Sequence, residues 1–333
     1  MNRVVTISII IPIILVLLSS CSLFEHDLGT GKLESKLGSE LENGQGTVTR
    51  DNSGHGRDNG THGSDNQDRD KDKEKGGDKE KGIIINPEGT TIEERFLPLP
   101  GFERIQVDEN SFGAYLRNLP LKPDGTKVKY YNGKTKPHDV HQAVIDIDVG
   151  NRDLQQCADA VMRLRAEYLY GRKMYDKISF NFVCGFKADY ATWMQGNRIV
   201  VKGNDAYWVK RTSYSDDYES FRQYLDMVFA YAGTESLEKE MKNVNLSDMQ
   251  IGDIFLKGSL PGHCVIIVDM AENKETGEKL FMIAQSYMPA QDIHILKNNN
   301  DKSISPWYSL NFGEFLRTPE WEFTANQLYR FED

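Results

Sequence analysis

The sequence predicts an α+β domain running from about Ile92 to Asp333, and three observations carry that reading. Cys157, Val161, Leu164 and Tyr168 recur at helical spacing in the first half of that span. Four strand-like runs follow one another in the last third, joined by short turns rich in Gly, Pro and Asn. Between residues 25 and 82 the composition is so polar that the folded part must begin after it. Helices early and strands late indicate segregated layers rather than alternating βαβ units. The span after residue 92 is long enough to enclose a substantial core.

Taken in order, residues 92–100 read as extended, punctuated by Pro98 and Pro100. Residues 111–119 read as a short helix capped by Asn110 or Ser111. Residues 127–131 read as a strand closed by the Asn132-Gly133 turn, and residues 143–149 as an alternating strand. Asp153 opens the best-patterned helix, with Gln156 completing a capping box and Gly171 as the stop. Residues 178–183 form a strand, 216–232 a helix ended by Gly233, and 235–241 a third short helix. Residues 253–257, 263–270, 279–286 and 292–297 then make an antiparallel meander.

The start of the chain reads as a targeting segment. Asn2 and Arg3 precede an apolar run over residues 4–18, shorter than the roughly 20 residues a bilayer span needs and interrupted by Pro12. It ends in Leu18-Ser19-Ser20-Cys21, which resembles the lipobox of bacterial lipoproteins. The resemblance implies a signal peptide over residues 1–20, acylation of Cys21 by a palmitate-type lipid, and a lipidated terminus over residues 21–24. Ser22 resembles the outer-membrane sorting choice, so the expected location is the outer membrane, on its periplasmic or cell-surface side. Residues 25–91 read as a disordered charged linker, most extreme at 68–82, where Asp, Glu, Lys and Arg alternate without an apolar residue. A plain spacer is the reading we adopt. His26, His55 and His62 are too widely spaced within it for a metal site.

A net charge of −10 argues against nucleic acid as a partner. The chain has no zinc-type CxxC, no HExxH, no P-loop and no GxGxxG, so no metal or cofactor is expected, and a monomer is. Beyond Cys21 it carries Cys157, Cys184 and Cys264. An odd number leaves at least one thiol without a partner inside the chain.

Cys157 is the candidate nucleophile. Near a helix start, unpaired N–H groups and the positive end of the dipole favour a thiolate. His263, which opens a strand after Pro261-Gly262, is the candidate base. A hairpin turn at residues 275–277 places residues 286–289 opposite it, so Gln285, Ser286 and Tyr287 are the nearest polar groups. Gln285 is preferred, because an amide oxygen can accept the imidazole N–H and fix its tautomer. Strand alternation sends Cys264 to the other face, into the core with Ile266 and Val268. A helix starting at Asp153 would lock the Cys157 N–H into the ladder; a later start would free it, with Gln155 or Gln156 as side-chain donors to an oxyanion. The competing readings are a core thiol at Cys157 and a binding module lined by Trp193, Trp208, Tyr207 and Tyr190. His138 and His141 lack further metal ligands, and Arg163, Arg165 and Glu167 read as the solvated or salt-bridged side of the nucleophile helix.

The order Cys157, Gly252-Asp253-Ile254-Phe255, Gly262-His263, Val265-Ile266-Ile267-Val268 and a polar strand residue resembles the NlpC-like and CHAP-like branches of the papain-like cysteine peptidases. That resemblance implies a papain-like arrangement, with the nucleophile helix packed on the C-terminal meander. It also implies cleavage of amide bonds, with cell-wall peptides as the suggested substrates. The long stretch between Cys157 and His263 implies an insertion relative to compact members. The segments DLQQCADAVMRLRAEYLY, FNFVCGFKADYATWMQGNR and GHCVIIVDMA resemble bacterial lipoproteins grouped as domain of unknown function 4846, a name that carries no activity. The alternative function is a non-catalytic lipoprotein that binds glycan, peptide or a partner protein on the same scaffold.

Overall fold

The computed structural model describes residues 84–332. The expected signal peptide, Cys21 and nearly all of the charged linker lie outside the described residues. Among the described residues, no helix is long and apolar enough to cross a membrane.

The first element corrects the extended reading of residues 92–100. It is a helix, α1 (Ile92–Arg95). Thr91 accepts the Glu94 N–H, while the Glu94 carboxylate accepts both the N–H and the hydroxyl of Thr90. These bonds satisfy the orphan donors of a first turn, and the two prolines fall beyond it. After β1 (Glu103–Arg104), α2 (Phe112–Arg117) is capped by Ser111, whose hydroxyl accepts the Ala114 N–H at 3.1 Å. Residues 127–131 form no regular strand, only single bridges at Lys129 and Tyr130 around the expected turn. β2 (His141–Val144) is shorter than the alternating pattern, because the Asp146 N–H leaves the ladder for the Pro120 carbonyl.

The helix that carries Cys157 is α3 (Cys157–Gly171), and it begins four residues after the expected start. Its cap is Gln156, whose N–H donates to Asp159 Oδ2 at 2.9 Å. Asp153 is not a cap; it accepts the Ala290 N–H at 2.7 Å and so ties a distant loop to the helix entrance. The hairpin β3 (Ser179–Asn181) to β4 (Lys187–Asp189) follows, then α4 (Tyr190–Met194). A second hairpin joins β5 (Asn197–Lys202) to β6 (Asp205–Lys210). α5 (Tyr218–Tyr231), capped by Asp217, and α6 (Thr234–Glu240) complete the helical half.

The remaining strands are β7 (Lys242–Asn243), β8 (Ile254–Lys257), β9 (His263–Glu272), β10 (Lys279–Gln285), β11 (His294–Leu296), β12 (Tyr308–Ser309), β13 (Phe315–Arg317), β14 (Glu322–Thr324) and β15 (Leu328–Arg330). The main sheet runs β2-β11-β10-β9-β8-β15-β7, with β1 beside β9 and β12 beside β10. All its pairings are antiparallel. The predicted meander is therefore its centre, and the α+β class holds. Lys279 pairs with Glu272 and Ala284 with Ile266, with a bulge between Met282 and Ile283 that shifts the register by one residue.

Alternation divides β9 between two cores. Cys264, Ile266 and Val268 share one with Val161 and Leu164 of α3 and Leu225 and Val228 of α5. Val265 and Ile267 share the other with Phe281, Ile283 and, from the β13–β14 hairpin, Leu316 and Phe323. Each such side chain, fully buried, stabilises the fold by about 1.5–3 kcal/mol. With both faces covered, the strand has little room to slip.

Candidate active site

Two glycines bring the site elements together. Gly252, at φ +99°, lies where a Cβ would come within 2.8 Å of the Phe112 ring. Gly262, just before His263, lies where a Cβ would come within 2.2 Å of Thr234 Oγ1 and 2.9 Å of the Lys257 carbonyl. The close approach of β9 to α6 therefore requires glycine there. Asp253, beside the first glycine, is a structural residue. Its carboxylate accepts from Arg330 Nε at 2.6 Å and Nη2 at 2.8 Å, and from the Gln250 N–H at 2.8 Å, which pins the C-terminal strand to β8.

Cys157 is the first residue of α3 and is partly exposed. At that position its N–H lies outside the helical ladder, as an oxyanion donor requires. Hydrogen bonding to Cys264, and then hydrogen bonding to His263 and the charge of its ring, pull the Cys157 thiol well below its ordinary value against the opposing effect of burial. The Ala158 N–H pulls in the same direction. Cys264 is displaced upward by the same hydrogen bond to Cys157 and by its burial. Cys264 packs with Ile266 and Val268 as expected, but the sequence did not bring it to the nucleophile. His263 and Cys264 leave the strand in opposite directions at its first two residues, and both lower the Cys157 thiol.

Behind the imidazole, His263 Nε2 lies 3.0 Å from Gln285 Oε1, and both residues are buried. The register explains the contact. Ala284 opposes Ile266, so Gln285 and His263 point to one face and meet diagonally. Ser286 takes the other face, where its hydroxyl donates to the Gln155 carbonyl at 3.2 Å and to the Gln291 carbonyl at 2.9 Å. Tyr287 and Trp321 flank the His263 ring, at centroid distances of 4.7 and 5.1 Å.

The two glutamines before Cys157 have different surroundings. Gln156 donates its amide to Asp153 Oδ1 at 3.2 Å, on the exposed side. Gln155 is buried, its Oε1 accepting from Arg163 Nη1 at 2.7 Å, and its Nε2 has no partner among the described residues. The same Arg163 reaches Tyr218 of α5 through Nη2 at 3.5 Å, so Gln155 is tied through it to the helical half.

Glu320 was missed. Its Oε2 accepts from Gln285 Nε2 at 2.6 Å and from Lys136 Nζ at 2.7 Å. Lys136 Nζ also donates to Gln291 Oε1 at 3.0 Å. Nothing in the sequence links residues 136, 285 and 320, since they come from a loop, a strand end and a hairpin turn.

The other candidates are apart from this site. Tyr190 and Trp193 are core residues, so the aromatic lining expected of a binding module is not formed by them; Tyr207 is exposed and Trp208 packs on the core. His141 Nε2 lies 3.1 Å from the Thr126 carbonyl. Among the described residues, no three His, Cys, Asp or Glu side chains are grouped to hold a metal. Arg163 and Arg165 are buried rather than solvated, Arg163 pairing with Glu167 at 3.2 Å.

No curated protein and no solved structure matches the chain. A family model, the domain of unknown function 4846, matches residues 92–330, and this chain belongs to that family.

Proposed function

We propose that this protein is a papain-like thiol hydrolase that cleaves amide bonds. The observation that carries the reading is the 3.0 Å contact of Gln285 Oε1 with His263 Nε2, on a ring that lowers the thiol of Cys157 at the start of α3. A nucleophile, a base and an orienting amide in that sequence have the roles acyl transfer needs. The Cys157 thiolate attacks the scissile carbonyl carbon, and the carbonyl electrons move to the oxygen, beside the N–H of Cys157 at the first helical position. The imidazolium of His263 gives its proton to the leaving nitrogen as the C–N bond breaks, leaving a thioester. Water attacks that thioester and passes a proton to His263, and release of the acid regenerates the thiolate–imidazolium pair. Leu260 and Met288, both exposed on the loops beside His263 and Gln285, offer apolar surface for a substrate side chain.

The lipobox-like Leu18-Ser19-Ser20-Cys21 supports a lipid anchor in the outer membrane, with the domain on a long tether. In that compartment the peptides of the cell wall are the substrates within reach. A second reading, a binding domain without catalysis, is favoured by a separate cavity of about 630 Å³ lined by Phe112, Tyr168, Phe331 and Arg165.

The deciding experiment follows alkylation of Cys157 against pH, by mass spectrometry on the peptide that carries it. We expect fast labelling at pH 6 that His263→Ala slows on the order of a hundredfold. Labelling typical of an ordinary thiol, unchanged by His263→Ala, would overturn the hydrolase. The anchor is tested separately: Cys21→Ala should abolish incorporation of a fatty-acid probe and release the chain from the membrane fraction.

A further inference from the structure

We propose that Glu320 and His294 are positioning residues that lock the Gln285 amide in one orientation, forcing His263 to carry its proton on Nε2 and to present Nδ1 to Cys157. This rests on the hydrolase reading and specifies how its base is prepared.

The argument is one of donors and acceptors. A glutamine amide can turn over, exchanging its oxygen and nitrogen at little cost unless its neighbours forbid it. The nitrogen of Gln285 has two neighbours. Glu320 Oε2, at 2.6 Å, can only accept. His294 Nε2 lies at 3.4 Å, and the other nitrogen of that ring is 2.8 Å from the Asp292 carbonyl. A carbonyl accepts only, so His294 Nδ1 holds the proton and Nε2 offers a lone pair. Burial pushes His294 down to about 3, so it keeps that lone pair at any pH at which the protein works. Both hydrogens of the Gln285 nitrogen are thus claimed by acceptors, and a flipped amide would set its oxygen against a carboxylate and a lone pair.

It follows that Oε1 faces His263, and an oxygen there must meet an N–H. The proton is on Nε2, and Nδ1 is left to take the proton of Cys157. Lys136 completes the lock. Buried, with Nζ shared between Glu320 and Gln291, it fixes the carboxylate and offsets its charge. Burial lowers the Lys136 ammonium and the bond to Glu320 opposes that, so the two depend on each other. Glu320 touches neither the thiol nor the ring; it acts through Gln285 alone.

The test compares the full-length wild type with Glu320→Gln and Glu320→Asp, reading Cys157 alkylation across pH 5–9. Glu320→Gln replaces an obligate acceptor with a group that can also donate, so the amide is free to turn. We expect labelling at pH 6 to fall on the order of tenfold to a hundredfold, with the profile moving toward that of an ordinary thiol. Glu320→Asp should recover part of the loss. A profile for Glu320→Gln identical to wild type overturns the proposal and leaves the hydrolase standing. An ordinary thiol profile in the wild type itself overturns both. A second measurement does not depend on reactivity: imidazole nitrogen-15 shifts of His263 in Cys157→Ser, recorded at alkaline pH. The Nε2–H tautomer is expected there, and a mixture of tautomers in Cys157→Ser/Glu320→Gln. A single Nδ1–H tautomer in Cys157→Ser would refute the lock outright.

Discussion

Two buried aspartates, Asp269 on β9 and Asp159 on α3, meet opposite surroundings in one domain. Asp269 lies between Arg104 Nε at 2.8 Å and Arg117 Nε at 2.7 Å, and also accepts the Met270 N–H. The guanidiniums continue outward to the carbonyls of Glu93, Phe96 and Ile105, so that network closes on itself and fastens α1, α2 and β1 to the sheet. Among the described residues, no cation pairs with Asp159. Its Oδ2 accepts the Gln156 N–H, its Oδ1 has no partner among the described residues, and burial raises its carboxyl well above the usual range. The neighbouring Cys157 charge adds to that rise. The network around Asp269 is saturated; the one beside the partly exposed Cys157 leaves Asp159 Oδ1 and Gln155 Nε2 without a partner among the described residues.

That contrast is broken most severely at its closed end. Asp269→Ala should strand two buried guanidiniums and cost about 3–5 kcal/mol in chemical denaturation; a loss below about 1 kcal/mol would show that the arginines find water instead. At the open end, substitution should change reactivity more than stability, so His263→Ala is expected to suppress Cys157 labelling while the denaturation midpoint moves far less than for Asp269→Ala. Gly262→Ala probes the close approach that brings β9 to the site. Overpacking against Thr234 and the Lys257 carbonyl should cost about 1–3 kcal/mol, read by thermal unfolding.

The smallest effect concerns Asp159 and has a definite sign. Its folded-state value lies above the unfolded one, so the folded protein binds the proton more tightly. Stability from this group is fully present below the ordinary aspartate range and is lost as pH rises through the raised value. Asp159→Asn keeps the acceptor for the Gln156 N–H and removes the titration. The variant should therefore gain on wild type as pH rises from 4 to 8. Parallel melting curves across that range would mean that Asp159 reaches solvent.

Much of this site was legible before any coordinate. The contact of His263 with Gln285 follows from a Gly-His strand opening and pairing across a turn, and the bulge in β10 moved the register by only one residue. The start of α3 was misplaced because Asp153 and Gln156 have the spacing of a capping box, whereas Asp153 is claimed by the Ala290 N–H from far along the chain. The strands of the β5–β6 hairpin went unread because their pattern is broken by half-buried and charged residues, with no clean apolar alternation.

By itself the sequence determined the elements whose signals are local: the α2 cap, the α5 helix, the alternation of β9 and β10, and the meander at the end of the domain. Only the tertiary structure decided what those elements bring together. Cys264 reaches Cys157 because a helix settles on that face of the sheet, and Glu320 reaches Gln285 because a hairpin folds over the other. Periodicity and turn chemistry act over a few residues and are written in order along the chain. A hydrogen bond between residues 136, 285 and 320 depends on packing geometry, which no local pattern encodes.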